Sequence, residues 1–371
     1  MPTLLILGVL ITPILFLVIY FRTAPRIGSD PSGERLARIK ALPNYRDGKL
    51  HNLQPTNMSM PLTILLKGMW TMMRKPGARE PKRPLPTVMF DRDAWERIPK
   101  DQVGLCWFGH SCLLIKLNGR TFLTDPVFGK RASMFTFAGP KRFAHTSRPS
   151  VDRLPHLDAL LLSHDHYDHL CYETIRELQA SGKVARYIAA LGVGAHLERW
   201  GVPGDAITEL AWWDVCTVAD VRLTFAPGRH FSGRSMTNRF STLWGSFVLE
   251  GSKRIYFGAD SGYSPTFKEL GTRFGRFDLA MLECGAYSEY WPEIHMFPEQ
   301  TAQAARDLNA DVLMPIHWAQ FALGLHPWKE SIERITGSAT ATGLPLLTPR
   351  IGKLITVLDA TSSERWWEGQ D

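Results

Sequence analysis

Residues 157–170 read LDALLLSHDHYDHL, a largely apolar run from Leu157 to Leu162 that passes at once into His164, His166, Asp168 and His169. A short apolar run bounded by polar residues reads as a buried strand. Alternate residues at the end of a strand project to one side, so His164 and His166 can share one metal ion. Asp168 and His169, where a helix begins, turn toward a second ion. A lone histidine is usually structural, but an H-x-H-x-D-H cluster directly after a strand is a metal-binding pattern with a mechanical reason for its spacing.

Three further runs end on ligand-type side chains. VRLTFAPGRH (Val221–His230) closes on His230, RIYFGAD (Arg254–Asp260) on Asp260 and DVLMPIH (Asp311–His317) on His317. Strands that each deliver a ligand at the carboxyl end are how open α/β architectures assemble sites, at the edge where loops gather. A carboxylate offers two oxygens, so Asp260 can bridge two ions. Imidazole-rich ligation suits zinc, and two Zn2+ per chain are expected.

The chain has 371 residues, 44% of them hydrophobic, which predicts one large α/β domain with flanking segments. A formal charge of +7 favours an acidic partner, such as an anionic membrane surface or a phosphate-bearing substrate. Cys106, Cys112, Cys171, Cys216 and Cys284 show no C-x-x-C spacing, so neither a disulfide framework nor a thiolate zinc knuckle is expected. Residues 2–21, PTLLILGVLITPILFLVIYF, carry no charge and are long enough for one membrane-spanning helix. The basic residues Arg22, Arg26, Arg35, Arg38, Lys40, Arg46 and Lys49 follow it, which predicts a cytoplasmic catalytic domain. The expected organisation is an anchor over 1–22, a basic, Pro-rich linker over 23–95, a catalytic domain over 96–358 and a polar tail over 359–371. Within the linker, PLTILLKGMWTMM (Pro61–Met73) reads as a short amphipathic helix that either packs on the catalytic domain or enters the bilayer interface.

Beyond the histidine cluster, the chain carries WFGHSCLLI (Trp107–Ile115), FLTDPVF (Phe122–Phe128), GPKRF (Gly139–Phe143), ELAWWD (Glu209–Asp214), FGADSGY (Phe257–Tyr263), FDLAMLECGAY (Phe277–Tyr287), HMFPEQ (His295–Gln300) and MPIHWAQFAL (Met314–Leu323). With these marks, from about Val103 to Leu323, the sequence resembles the metallo-β-lactamase superfamily and, within it, the N-acylphosphatidylethanolamine-hydrolysing phospholipase D branch. The resemblance implies an αββα sandwich of two mixed β-sheets with helices on the outer faces. It implies one ion held by His164, His166 and His230, a second by Asp168, His169 and His317, and Asp260 between them. Where that family tends to carry valine or asparagine before the proline near His295, this chain has Phe297, and its amino-terminal segment is not recognisably the family's.

The implied reaction is hydrolysis of a phospholipid diester to phosphatidic acid and an N-acylethanolamine, by a water whose pKa a metal pair lowers. Asp168 is the candidate to orient that nucleophile with its second oxygen, and His295 the candidate to protonate the leaving alcohol. His110 and Asp125 are candidates for fixing ligand orientation. Lys141, Arg142 and Tyr287 are candidates for substrate contact. Trp212, Trp213, Trp291 and Trp318 either line an acyl channel or fill core. The expected partners are a phospholipid membrane and a lipid substrate, with no nucleic acid, since no basic and aromatic stripe of the kind single strands need is present; a homodimer is compatible with the sequence. A lactonase would share every ligand and is the alternative, ahead of a two-metal nuclease and a non-enzymatic membrane scaffold.

Overall fold

The computed structural model describes residues 20, 23–58, 63, 66, 70, 79–235, 237–356 and 364–370. Two mixed sheets account for most of it. The seven strands of the first lie in the spatial order Leu354–Thr356, Gly104–Trp107, Leu113–Leu117, Arg120–Thr124, Ala159–Leu162, Tyr187–Ala190 and Ile207–Leu210. The first three pairings are antiparallel and the last three parallel. The second sheet has six strands in the order Leu313–Ile316, Leu279–Glu283, Arg254–Phe257, Ser246–Glu250, Val221–Ala226 and Val215–Val218, with two parallel pairings followed by three antiparallel ones.

Parallel neighbours need a crossover, and helices supply it. Tyr172–Ser181 joins the parallel strands Ala159–Leu162 and Tyr187–Ala190. Thr266–Phe274 and Pro298–Asp307 perform the same service in the second sheet. A central strand covered by a helix layer on one face and a sheet on the other must be apolar on both, which is why Ala159, Leu160, Leu161 and Leu162 run without alternation and are all fully buried. One continuous core links the facing sides of both sheets. The α/β metallo-β-lactamase architecture expected from the motifs is therefore present.

Two expected boundaries are corrected. The linker anticipated over 23–95 contains a packed segment: Ile27, Ile39 and Leu50 are buried, and Arg35 pairs with Glu209 at 2.6 Å and Glu198 at 2.9 Å. Its apolar residues are too sparse to give a helical or strand period, so the sequence shows only polarity there. At the other end, residues 364–370 fold back rather than form a polar tail. Trp367 is fully buried, and Trp366 stacks on Trp318 at 5.2 Å between ring centres. Adjacent indoles carry enough apolar area to dock a short polar segment.

Almost all of the apolar run over 2–21, and most of the amphipathic segment over 61–73, lie outside the described residues. Among the described residues no helix is long and apolar enough to cross a membrane.

Candidate metal centre

The carboxyl ends of four strands and the loops after them converge on one point. His164 Nε2, His166 Nδ1 and His230 Nε2 face one another, with 3.0 and 3.1 Å from His166 Nδ1 to the other two. Asp260 Oδ2 lies 3.9 Å from His164 Nε2 and 3.6 Å from His230 Nε2. The other oxygen of the same carboxylate, Oδ1, lies 3.1 Å from both His169 Nε2 and His317 Nε2. Asp168 Oδ2 completes this second set, 3.3 Å from His317 Nε2 and 3.5 Å from His169 Nε2. One carboxylate thus faces two donor sets with two different oxygens.

These donors fit divalent cations. Tetrahedral zinc with Zn–N bonds of ~2.0–2.1 Å places ligand nitrogens about 3.3 Å apart, close to the observed spacing. His169 Nε2, His317 Nε2 and Asp260 Oδ1 are buried and make no hydrogen bond among the described residues, as expected of atoms whose partner is an ion. Charge points the same way. Burial opposes a charged imidazole, yet the Asp260 and Asp168 carboxylates outweigh it, raising His169 well above its ordinary value and His317 to about 9. Burial likewise opposes ionisation of Asp168 and Asp260, but the neighbouring His169 holds both well below the usual carboxylate range. Because a ligating imidazole must give up the proton on its ligating nitrogen, metal binding at such a site releases protons. In the first set burial dominates, keeping His164 and His230 neutral and ready to ligate.

The ring nitrogens that face away from the centre are held from behind. His169 Nδ1 donates to Asp125 Oδ2 at 2.8 Å, and His230 Nδ1 donates to the Ile294 carbonyl at 3.0 Å. Ser163 donates to Asp125 Oδ2 from its hydroxyl and to Oδ1 from its backbone, and its Oγ lies 2.8 Å from His164 Nδ1. Asp125 therefore sits behind ligand-type histidines of both sets, and Asp125→Asn should weaken metal binding about 10–100-fold, read by chelator competition. Unchanged affinity would remove Asp125 from that role. His110 is placed beside the second set, its Nε2 2.9 Å from Asp168 Oδ2, and burial together with the His317 ring pushes its imidazole down to about 3.

Strained backbone positions occur at the centre. His110, Asp125, Ala259 and His317 all have positive φ, at 53°, 33°, 48° and 66°. Such conformations persist where the surroundings over-determine them. The carbonyl of His110 accepts from the His317 amide at 2.9 Å, and the His110 amide donates to the Trp318 carbonyl, locking the two strained segments together. Gly285 lets the chain pass close by, since a Cβ there would sit 2.0 Å from the His317 carbonyl oxygen.

A cleft of about 260 Å³ opens onto the donors, with His166, Asp168, His230, Asp260, His295 and His317 in its floor and Met58, Phe231, Trp291, Ile294 and Leu323 among its walls. His295 stands at its edge, Nδ1 3.5 Å from Glu283 Oε1. Of the tryptophans, Trp291 reaches the cleft while Trp318 belongs to the core. Three expected substrate contacts are corrected. The Tyr287 hydroxyl donates to Glu330 Oε1 at 2.6 Å and the ring stacks on His326, so only its neighbour Ala286 faces the cleft. Lys141 is exposed away from the cleft, and Arg142 is buried against the Val127 carbonyl.

Several contributors had no distinct sequence signal. Asn52 brackets His230, donating from Nδ2 to its carbonyl at 2.8 Å and accepting from its amide at 3.1 Å. Beneath the H-x-H-x-D-H loop, buried Asp165 accepts from the Gly233 amide at 2.7 Å and the Thr242 hydroxyl at 3.0 Å. Buried Arg234 donates to the carbonyls of Asp165, Leu170 and Arg26.

Comparison with known proteins agrees with this geometry. The profile of the family described as "Beta-lactamase superfamily domain" matches residues 120–318. The chain is 36% identical to an uncharacterized protein of Mycobacterium tuberculosis, over 93% of this chain and 92% of that one. It is 32% identical to an N-acyl-phosphatidylethanolamine-hydrolyzing phospholipase D of Caenorhabditis elegans, over 59% of this chain and 64% of the worm protein. A metallo hydrolase from Ignicoccus hospitalis shares the fold, with a TM-score of 0.53 and 17% identity over 69% of this chain and 98% of that one. The chain belongs to the metallo-β-lactamase superfamily as a metal-dependent hydrolase, in the branch that resembles the N-acyl-phosphatidylethanolamine-hydrolyzing phospholipases D.

Proposed function

We propose that this chain is a two-zinc phosphodiesterase of the phospholipase D type, acting on N-acylphosphatidylethanolamine or a closely related phospholipid. The observation that carries the reading is the split carboxylate of Asp260, one oxygen toward each donor set, at the floor of a cleft with apolar walls. His164, His166 and His230 would hold one ion and Asp168, His169 and His317 the other, with Asp260 presenting one oxygen to each set. When bound, a pair of divalent ions supplies Lewis acidity and lowers the pKa of an attacking water toward neutrality.

The chain's own side chains do the rest. Asp168 Oδ2 is engaged by His110, His169 and His317, while its Oδ1 makes no hydrogen bond among the described residues and can accept a proton of the attacking water. Water adds to phosphorus, the bond from phosphorus to the ethanolamine oxygen breaks, and His295 gives that oxygen its proton. The buried Glu283 carboxylate lies 3.5 Å from His295 Nδ1. Met58, Phe231, Trp291, Ile294 and Leu323 exclude water and accept hydrocarbon. The uncharged run over 2–21 supports placing the enzyme at a membrane, where such a substrate resides.

The test is phosphatidate release from N-acylphosphatidylethanolamine in mixed micelles, followed by mass spectrometry. We expect metal-dependent release that disappears on chelation and in His164→Ala. No release from a preparation shown to hold two metals per chain would reject this substrate and favour a lactone instead.

A further inference from the structure

A second cleft, about 620 Å³ in volume, adjoins the metal centre and shares Met58 and Arg239 with it. One wall is the strand pair Tyr45–Arg46 and Lys49–Leu50 with the chain that follows to Met58. The turn between the strands is Asp47-Gly48, both at positive φ (50° and 76°), the two-residue geometry that aligns a tight hairpin. The opposite wall is Arg239 and Phe240, tied to the hairpin by the Leu50 amide donating to the Phe240 carbonyl at 3.1 Å.

The lining is one-sidedly basic. Arg46, Lys49 and Arg239 contribute to it, no acidic side chain does, and none of these three cations makes an ion pair among the described residues. Some other cations of the chain are paired, as Arg35 with Glu198 and Glu209, or Arg229 with Glu293. Aromatic rings hold the two inner cations in place. Lys49 Nζ lies 5.9 Å from the Phe240 ring centre, and the Arg239 guanidinium 5.5 Å from the same ring. Arg239 also stands 4.9 Å from the Phe231 ring, which in turn packs against His166 at 4.4 Å. The row Lys49, Phe240, Arg239, Phe231, His166 therefore leads from the second cleft to a metal-facing imidazole. Cations over aromatic faces keep their charge while their orientation is restricted, and basic side chains lining one cleft without an acidic partner suit an anionic occupant.

We propose that this cleft is a second phosphate site, in which Lys49 and Arg239 hold the phosphate of a phospholipid neighbouring the one under attack on the same lipid surface. The inference deepens the phospholipid reading of the metal centre and rests on it. The site recruits the enzyme to surfaces that carry anionic phosphate, including the phosphatidate that the reaction itself would leave behind. The cations the sequence suggested for phosphate, Lys141 and Arg142, do not reach the cleft; those of the hairpin wall and Arg239 do.

The test is equilibrium binding of the full-length holoenzyme to sedimenting vesicles of phosphatidylcholine, with and without a minor fraction of phosphatidate. Because binding is scored without turnover, its result is separate from whether the metal centre cleaves a phosphodiester. The Lys49→Gln/Arg239→Gln double variant is compared with Lys82→Gln/Lys268→Gln, which removes the same charge from exposed positions elsewhere. We expect the phosphatidate-dependent gain in affinity to fall about thirtyfold in the first pair, on the basis of ~1 kcal/mol per basic residue at an anionic surface, and to persist in the second. Equal losses in both pairs would overturn the site and leave only the general attraction of a basic protein. Added inorganic phosphate distinguishes the source. If it leaves the vesicle gain intact, the occupant is a lipid headgroup; if it abolishes the wild-type gain at concentrations that leave binding to neutral vesicles unchanged, the assignment to a lipid headgroup fails in favour of soluble phosphate.

Discussion

On the proposed two-metal reading, replacing Asp260 with asparagine should reduce bound metal from two ions per chain toward one and lower kcat/KM by about a thousandfold. An amide keeps one acceptor oxygen, but its nitrogen only donates, so it cannot face both donor sets. Asp260 is fully enclosed by imidazoles: Oδ1 lies 3.1 Å from His169 and His317, and Oδ2 3.6 Å from His230. Removing its charge also removes the largest of the carboxylate contributions that raise His169 and His317, leaving Asp168 alone to face both. On that reading, loss of a clamp worth several kcal/mol in the transition state, at ~1.4 kcal/mol per tenfold, sets the scale of the rate effect. Metal analysis by plasma mass spectrometry, alongside turnover, reads both quantities. Two ions per chain with near wild-type turnover would show that the split carboxylate is not a bridge.

Trp367→Ala should lower the unfolding free energy by ~3–5 kcal/mol, the range for deleting a fully buried large aromatic. Trp367 has no exposed surface and packs edge-on to Trp318 at 5.6 Å, while Trp318 lies 5.3 Å from Trp107. Its indole nitrogen has no hydrogen-bond partner among the described residues, so the loss is one of packing and cavity formation. Trp318 follows His317 directly, and the vacated volume lies behind a metal-facing loop. Urea unfolding with excess zinc should show an earlier midpoint at unchanged slope. An unchanged midpoint would mean that residues 364–370 contribute no packing.

The parts of this architecture that could be read from sequence share one physical cause. Strands buried on both faces are written as apolar runs, and a polar ligand placed where each run stops is conspicuous, as at His164, His230, Asp260 and His317. Contacts made across the fold by a single polar side chain leave no such trace. Asn52 is one asparagine in a polar stretch, and nothing around it shows that it grips both backbone groups of His230. Glu283 ends an apolar strand as Asp260 nearly does, yet its carboxylate turns inward to the Met296 amide and His295. Tyr287 shares a motif with cleft residues, but its hydroxyl is claimed by Glu330 on a helix more than forty residues later. Arg142 reads as a surface cation because nothing in GPKRF announces that its guanidinium folds beneath the loop. The packed segment between residues 25 and 56 was hidden for the opposite reason: it is polar over most of its length and buries only isolated apolar residues.

The bracket between Asn52 and His230 has a consequence for reading inherited variation in this chain. The two residues are separated by 178 positions. A change at position 52 would be sorted, on sequence distance alone, with harmless drift in a leader region. In space it loosens the backbone that carries a metal-facing imidazole, and it should be inherited as a defect of activity even though every ligand is intact.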